Sequence, residues 1–90
     1  PFNRYAISGE INTKVNNQQL AIEKIKDFYR KVNESVEFDE LDGLTVTGKT
    51  WWFNLRPSNT EPLLRLNVEA DTDLQMARLR DEVLEQLNTQ

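Results

Sequence analysis

The sequence lacks cysteine and histidine altogether, and it has only three glycines and three prolines in 90 residues. Without cysteine, the chain forms no disulfides and offers no thiolate chemistry. Without histidine, it lacks the commonest metal ligand and the commonest general base near neutral pH. These absences remove the side chains on which many metal sites and catalytic centres depend.

The chain also lacks a long apolar run and an excess of positive charge. No hydrophobic stretch approaches the roughly 20 residues that span a bilayer, so we expect no membrane segment. The net charge is −4, whereas nucleic-acid-binding domains usually carry a basic face, so we expect no nucleic-acid partner. A local basic pocket for one small anion is still compatible with an acidic chain.

What the chain does contain is enough apolar sequence for one small domain. A hydrophobic share of 38% with 29% charged residues is typical of soluble globular proteins. The length leaves no room for a second core, so we expect a single domain over residues 1–90. The chain begins at Pro1 with neither an initiator methionine nor the apolar segment of a signal peptide, which predicts a fragment of a larger protein.

Hydrophobic periodicity predicts the element order β-α-β-β-β-α. The first strand covers residues 5–12, with Ile7 and Ile11 on the core face and a bulge at Gly9. The following helix begins at an Asn16 cap and ends near residues 33–34. Its apolar stripe consists of Ala21, Ile25, Phe28, Tyr29 and Val32.

The second half of the chain contains three strands and a second helix. An acidic turn occupies residues 37–43 and ends at the strong turn signal Asp42-Gly43. The strands that follow cover residues 44–47, 51–56 and 63–70. A Thr72 cap begins the last helix, which runs to about Asn88. Together these elements predict an α+β two-layer sandwich with two helices on one face of a mainly antiparallel sheet.

The loop between the last two strands has the composition of an oxyanion site. Arg56 supplies a planar fork of charged donors, and Ser58 and Thr60 supply hydroxyl groups. Asn59 adds an amide and tolerates the backbone dihedrals of an anion-binding nest. Two other interpretations stay open from the residues alone: Ser58 with Glu61 is also a helix-capping pattern, and such residues are common in plain surface loops.

The same loop, Arg-Pro-Ser-Asn-Thr-Glu-Pro at residues 56–62, resembles the phosphate-binding signature of the α-D-phosphohexomutase superfamily. The resemblance continues through residues 63–70 and includes residues 8–12 and 42–44 upstream. Position 59 is asparagine, where many relatives have glycine. This form of the motif resembles that of the phosphomannomutase/phosphoglucomutase branch.

The resemblance implies that the chain is the C-terminal, fourth domain of a larger mutase, with a fold similar to the TATA-box-binding protein. Carried over by motif position, its substrate-phosphate-binding residues are Arg56, Ser58, Asn59 and Thr60. The family transfers a phosphoryl group between the 1- and 6-positions of a hexose, using a serine and Mg²⁺ from the three preceding domains. Neither the family's serine motif nor its Mg²⁺-binding motif occurs in this chain. We therefore expect no catalytic residue and no metal site here, and an inactive isolated domain.

The partners that the resemblance implies are mannose or glucose 1- and 6-phosphates, the bisphosphorylated hexose intermediate and the other three domains. The family also implies a cytoplasmic location. The competing hypothesis is a non-enzymatic α+β module that binds a ligand or nucleic acid on its open sheet face. An exposed aromatic residue would favour that hypothesis, and Trp52 is the one candidate.

Several conspicuous side chains have structural interpretations. We expect Trp51 to be buried and Trp52 to lie at the sheet rim. We interpret Arg65 as part of a salt bridge on the sheet surface, and Glu61 as a structural partner of Arg56 or Arg65. The acidic residues of the turn are interpreted as solvated rather than as a metal site, because their spacing fits no calcium loop. They are Asp39, Glu40 and Asp42.

Overall fold

The structure, a computed structural model, describes residues 6–32 and 35–88. In them, two helices lie on one face of a six-stranded antiparallel sheet, which confirms the predicted α+β architecture. The elements are β1 (Ala6–Ile7), β2 (Ile11–Lys14), α1 (Gln18–Val32), β3 (Glu37–Asp39), β4 (Leu44–Thr47), β5 (Trp51–Pro57), β6 (Leu63–Ala70) and α2 (Asp73–Asn88). The sheet order is β1-β6-β5-β4-β3, with β2 also paired to β6.

The core lies between the helices and the apolar face of the sheet. Alternation along the two central strands places Phe53, Leu55, Leu66 and Val68 on that face, where each is at most 1% exposed. The helices contribute their own apolar stripes to the same cluster, including Ile25 from α1 and Val83 from α2. The opposite face of β5 and β6 is left open, and it carries the arginines described below.

The first predicted strand is in fact two short strands, separated at Gly9. Gly9 has a φ of 76°, and Ser8 bridges the interruption because its Oγ accepts a hydrogen bond from Val68 N at 2.9 Å. The bulge reverses which side chains face the core on its two sides. Ile11 packs against the core as predicted, but the prediction for Ile7 was wrong: Ile7 is 63% exposed, and Ala6 is buried instead.

The first helix is capped one residue later than predicted. Leu20 N donates to Asn17 Oδ1 at 3.0 Å, so Asn17 rather than Asn16 is the N-cap. The buried stripe also differs from the predicted one: Ile22 packs in the core, whereas the predicted core residue Val32, at the end of α1, is 59% exposed. The predicted end near residues 33–34 lies outside the described residues. The second helix follows its prediction, with Gln75 N bonded to Thr72 Oγ1 at 3.1 Å.

The acidic segment was predicted to be entirely a turn, but Glu37–Asp39 forms β3 at the sheet edge. Phe38 packs against the core while its two neighbours are exposed, and the strand pairs with β4. This tertiary contact outweighs the local turn preference of acidic residues. The turn at Asp42-Gly43 is confirmed, and the resulting order is β-β-α-β-β-β-β-α.

Candidate functional site

An open cleft of ≈ 510 Å³ lies where β5 ends and the loop to β6 begins. The chain reverses direction here between two central strands, so the loop tip and the open sheet face form the walls. The four residues predicted for the site all line this cleft. The complete lining consists of Leu41, Asp42, Gly43, Arg56, Pro57, Ser58, Asn59, Thr60 and Arg65.

Arg56 is the main cation that the sequence predicted here. It lies on the open face of β5, with 45% of its side chain exposed, and its Nη1 is 3.3 Å from Asp42 Oδ2. Asp42 is itself 78% exposed. An ion pair this solvated contributes little to stability and is readily exchanged for another anion. The guanidinium is therefore held in place and is still accessible to another anion.

A second arginine lies directly across the strand pair. Arg65 is the Cα partner of Arg56 in the β5–β6 register, so both side chains occupy the same face. Like charges in such positions repel, and Arg65 is neutralised by Glu10, whose Oε2 lies 3.0 Å from Arg65 Nη1. The predicted surface salt bridge of Arg65 is thus confirmed. Sequence reasoning missed its place in the cleft, which the hairpin register could have indicated.

Ser58 organises the loop from inside. It is 6% exposed, and its Oγ accepts hydrogen bonds from Thr60 N and Glu61 N, each at 3.3 Å. These bonds are the side-chain-to-backbone pattern that closes hydroxyl turns. The capping-type bond to Glu61 therefore forms, but no helix follows, because β6 begins at Leu63. The helical interpretation of the loop is wrong.

Asn59 and Thr60 form the part of the exposed loop tip that lines the cleft. The expectation that Asn59 uses its tolerance of unusual dihedrals was wrong, because every residue with positive φ in the described ranges is a glycine. Thr60 Oγ1 lies 3.4 Å from Ser58 Oγ. Both tip residues present polar side chains to the cleft, while Ser58 is held beneath them.

One residue that sequence reasoning missed holds the loop from behind. Gln18 Nε2 donates to the carbonyl oxygens of Ser58, Glu61 and Leu63, at 3.0, 3.1 and 2.9 Å. Gln18 is the first residue of α1, and it lies 40 to 45 positions along the chain from the three residues that it contacts. No local pattern signals such a contact, since it depends on how α1 docks beside the β5–β6 hairpin.

The floor of the cleft needs a glycine. Gly43 has a φ of 74°, and a Cβ added there would lie 2.2 Å from Leu55 O and 2.9 Å from Arg56 Cγ. Asn54 supports the same turn, because its Nδ2 donates to Asp42 O and to Thr45 Oγ1, each at 3.0 Å. The turn thus fixes both the floor and the position of Arg56.

The remaining predicted roles have mixed outcomes. Glu61 was expected to pair with an arginine, but Arg56 and Arg65 pair with Asp42 and Glu10 instead. Trp51 stacks on Phe53, with ring planes inclined by 9°, but it is only partly buried, so the prediction of a buried position holds only in part. Trp52 is 37% exposed, as expected for a rim position. Among residues 6–32 and 35–88, no group of three or more acidic side chains is arranged to hold a metal ion.

The fold and the cleft define a class: an α+β domain that presents a polar loop and two arginines at one end of its open sheet. The sequence matches the phosphoglucomutase/phosphomannomutase C-terminal domain over residues 10–86. The chain therefore belongs to this family of C-terminal domains.

Individual relatives agree with the family match. The chain is 48% identical over 82 residues to a phosphomannomutase of Methanocaldococcus jannaschii, which is 91% of this chain and 17% of that protein. It is 43% identical over 81 residues to a phosphomannomutase of Vibrio cholerae, covering 90% and 17%. It is 40% identical over 84 residues to phosphohexose mutases of Xanthomonas campestris, covering 93% and 18%. The chain thus spans less than a fifth of the length of these relatives.

Proposed function

We propose that this chain is the substrate-phosphate-binding domain of a phosphomannomutase/phosphoglucomutase, and that the cleft binds the phosphate of a hexose phosphate. The observation that carries the proposal is the convergence of two cross-strand arginines and a polar loop on one open cleft. Membership of the mutase C-terminal family supplies the substrate class. The ligands would be mannose or glucose 1- and 6-phosphates and the bisphosphorylated intermediate.

The residues of the cleft have complementary roles in this proposal. Arg56 offers a planar pair of donors to two phosphate oxygens, and Arg65 adds a second positive charge from the neighbouring strand. Asn59 and Thr60 donate from the loop tip, while Ser58 keeps the loop closed beneath them. A phosphate would compete with Asp42 and Glu10 for the arginines. Because these charges are exposed, salt screens their attraction for phosphate, and binding should weaken as the salt concentration increases.

The chemistry of the longer enzyme would lie outside this chain. The proposed reaction transfers a phosphoryl group between the 1- and 6-positions of a hexose, and this domain would fix which end of the sugar faces the reacting group. No catalytic residue is assigned here. Within residues 6–32 and 35–88, no group of three or more acidic side chains is arranged to hold a metal ion. The family resemblance implies that the other domains would hold the Mg²⁺ of the longer enzyme. We expect the isolated domain to be inactive.

None of the described helices is long and apolar enough to cross a membrane. A cytoplasmic location, as in the family, stays a prediction.

Arginine substitution tests the proposal directly. Glucose 1-phosphate is titrated into the ¹⁵N-labelled chain, and we expect shifts concentrated on residues 56–60. Arg56→Ala should weaken binding about tenfold or more, because it removes a charge-assisted contact worth about 1.5–3 kcal/mol. Arg78→Ala on the exposed side of α2 removes the same charge elsewhere and should leave affinity unchanged. Equal losses of affinity in both variants would show that only the overall charge matters, and would refute the site.

One observation bears on the alternative interaction module. Ile7 and Trp52 are exposed on the open sheet face, one on each side of Glu69 in the strand register. The acidic residue between them disfavours nucleic acid. Retention of single-stranded nucleic acid at low salt, lost with Trp52→Ala and not with Arg56→Ala, would favour this module over the phosphate site.

A further inference from the structure

The contact between Gln18 and the loop is unusual in its number of acceptors. A side-chain amide has two N–H donors, yet Gln18 Nε2 lies within 3.1 Å of three backbone carbonyl oxygens. At least one hydrogen is therefore shared between two acceptors. The bonds to Ser58 and Leu63 are partly shielded from water, which strengthens them relative to exposed bonds.

The three acceptors belong to the two ends and the middle of the loop that lines the cleft. Within the loop, Ser58 N donates to Leu63 O at 3.0 Å, and Leu63 N donates to Glu61 O at 2.8 Å. Gln18 does not line the cleft, so the carbonyl groups that it binds are directed away from the cleft. A carbonyl oxygen that turned into the cleft would repel a phosphate.

We propose that Gln18 is a positioning residue for the phosphate loop: it gathers three carbonyl oxygens on the far side and thereby preorganises the donors on the near side. This inference rests on the proposed function and deepens it, because it names the residue that sets the geometry of the grip before phosphate arrives. A loop ordered in advance loses less entropy on binding, and so binds more tightly than a loop ordered by its ligand.

Two substitutions separate positioning from packing. Gln18→Glu keeps the size of the side chain but places a carboxylate against carbonyl oxygens. Gln18→Met keeps the length, adds no charge and removes the donors. The matched control is Gln19→Glu, on the adjacent exposed position of the same helical turn. Both glutamates lie in the first turn, where negative charge favours the helix, so a defect specific to Gln18→Glu cannot come from weakening α1.

The first measurement needs no ligand. Amide hydrogen exchange of Ser58 and Leu63 reports whether the loop is closed in the free chain. We expect faster exchange at both amides in Gln18→Met and Gln18→Glu, and unchanged exchange in Gln19→Glu. Circular dichroism monitors the fold of each variant, and Gln18→Met serves if Gln18→Glu fails to fold. Unchanged loop exchange in Gln18→Met would overturn the positioning role.

The second measurement is titration with glucose 1-phosphate. Loss of one or two hydrogen bonds should weaken binding about 5- to 30-fold in Gln18→Met and Gln18→Glu. Lowering the pH should narrow the difference in glucose 1-phosphate affinity between Gln18→Glu and Gln19→Glu, because a protonated glutamic acid at position 18 regains one donor. An affinity loss caused by a packing defect would not respond to pH in this way. Equal affinity of the Gln18 variants and the unaltered chain would refute the inference alone. Failure of the unaltered chain to bind would refute the proposed function and the phosphate role of Gln18 with it.

Discussion

Replacing Gly43 by alanine tests the idea that a turn shapes the cleft and places Arg56. Two glycines of the described chain have nearly the same left-handed backbone, with φ of 74° at Gly43 and 76° at Gly9. Their surroundings differ completely. An added Cβ at Gly43 would overlap Leu55 O at 2.2 Å, whereas a Cβ at Gly9 would meet nothing within 4 Å. Gly9→Ala is therefore a matched control for backbone conformation.

The expected free energies of unfolding follow from this comparison. A left-handed alanine costs about 1–2 kcal/mol, and the reduced freedom of the unfolded chain offsets about 0.4–1 kcal/mol of it. Gly9→Ala should thus destabilise the chain by about 0–1.6 kcal/mol. Gly43→Ala carries the same cost and, in addition, forces a backbone carbonyl and Arg56 to move, which adds about 1–3 kcal/mol of local strain. We expect a total loss of about 1–4.6 kcal/mol.

Urea unfolding followed by tryptophan fluorescence measures both losses, and phosphate titration at low urea measures the effect on the site. Gly43→Ala should weaken phosphate binding by about as much as Arg56→Ala, because the new methyl group displaces the base of that side chain. Gly9→Ala should bind normally. Equal destabilisation by the two substitutions, or normal phosphate binding by folded Gly43→Ala, would refute the reasoning.

Two further predictions concern charge and burial. Asp42→Asn should tighten phosphate binding about 2- to 5-fold at low salt, because the carboxylate competes for Arg56 and such exposed pairs are weak; weaker binding in the titration would show that Asp42 orients the arginine instead. Tyr29→Phe should lower the free energy of unfolding by about 1–2 kcal/mol at neutral pH, since the buried phenol donates to Glu82 at 2.6 Å. Burial, and then the hydrogen bond and charge of Glu82, raise the pKa of Tyr29, so the unfolded chain loses the phenolic proton first and stability falls as the pH rises above about 10. Urea unfolding near pH 8 and pH 11 should show this fall in the unaltered chain and a smaller fall in Tyr29→Phe, whereas equal falls would contradict it.

The parts of the fold that sequence predicted well are those coded by neighbouring residues. Alternation along β6 and the Thr72 cap of α2 involve contacts within a few positions, and both agree with the structure. Errors arose where exposure depends on a bulge or on tertiary packing. The bulge at Gly9 reversed the exposure of Ile7, and packing against the core buried Ile22 of α1 rather than Val32. β3 was missed because its formation depends on pairing with β4 and on burial of Phe38.

The same distinction applies to the site. Loop composition indicated Arg56, Ser58, Asn59 and Thr60, because a charged fork and short polar side chains can be recognised from the sequence alone. The residues that shape the loop come from elsewhere in the chain. Gln18 reaches it from α1, and Gly43 reaches it from the turn before β4. Their residue types carry no signal of this role, since glutamine at the start of a helix and glycine after aspartate are ordinary features.

The charge pattern of the cleft is compatible with the proposed phosphate site, which would have to release its ligand as well as bind it. Arg56 and Arg65 would repel each other across β5 and β6, yet each is paired with its own carboxylate, Asp42 or Glu10. These pairs leave the two arginines nearly neutralised, and under the proposed function a phosphate would replace existing ion pairs rather than fill an uncompensated positive pocket. Such an exchange would give moderate affinity. In the proposed mutase, both ends of a bisphosphorylated sugar would occupy the same grip in turn. Moderate affinity would suit that exchange, because very tight binding of one end would prevent the other from entering.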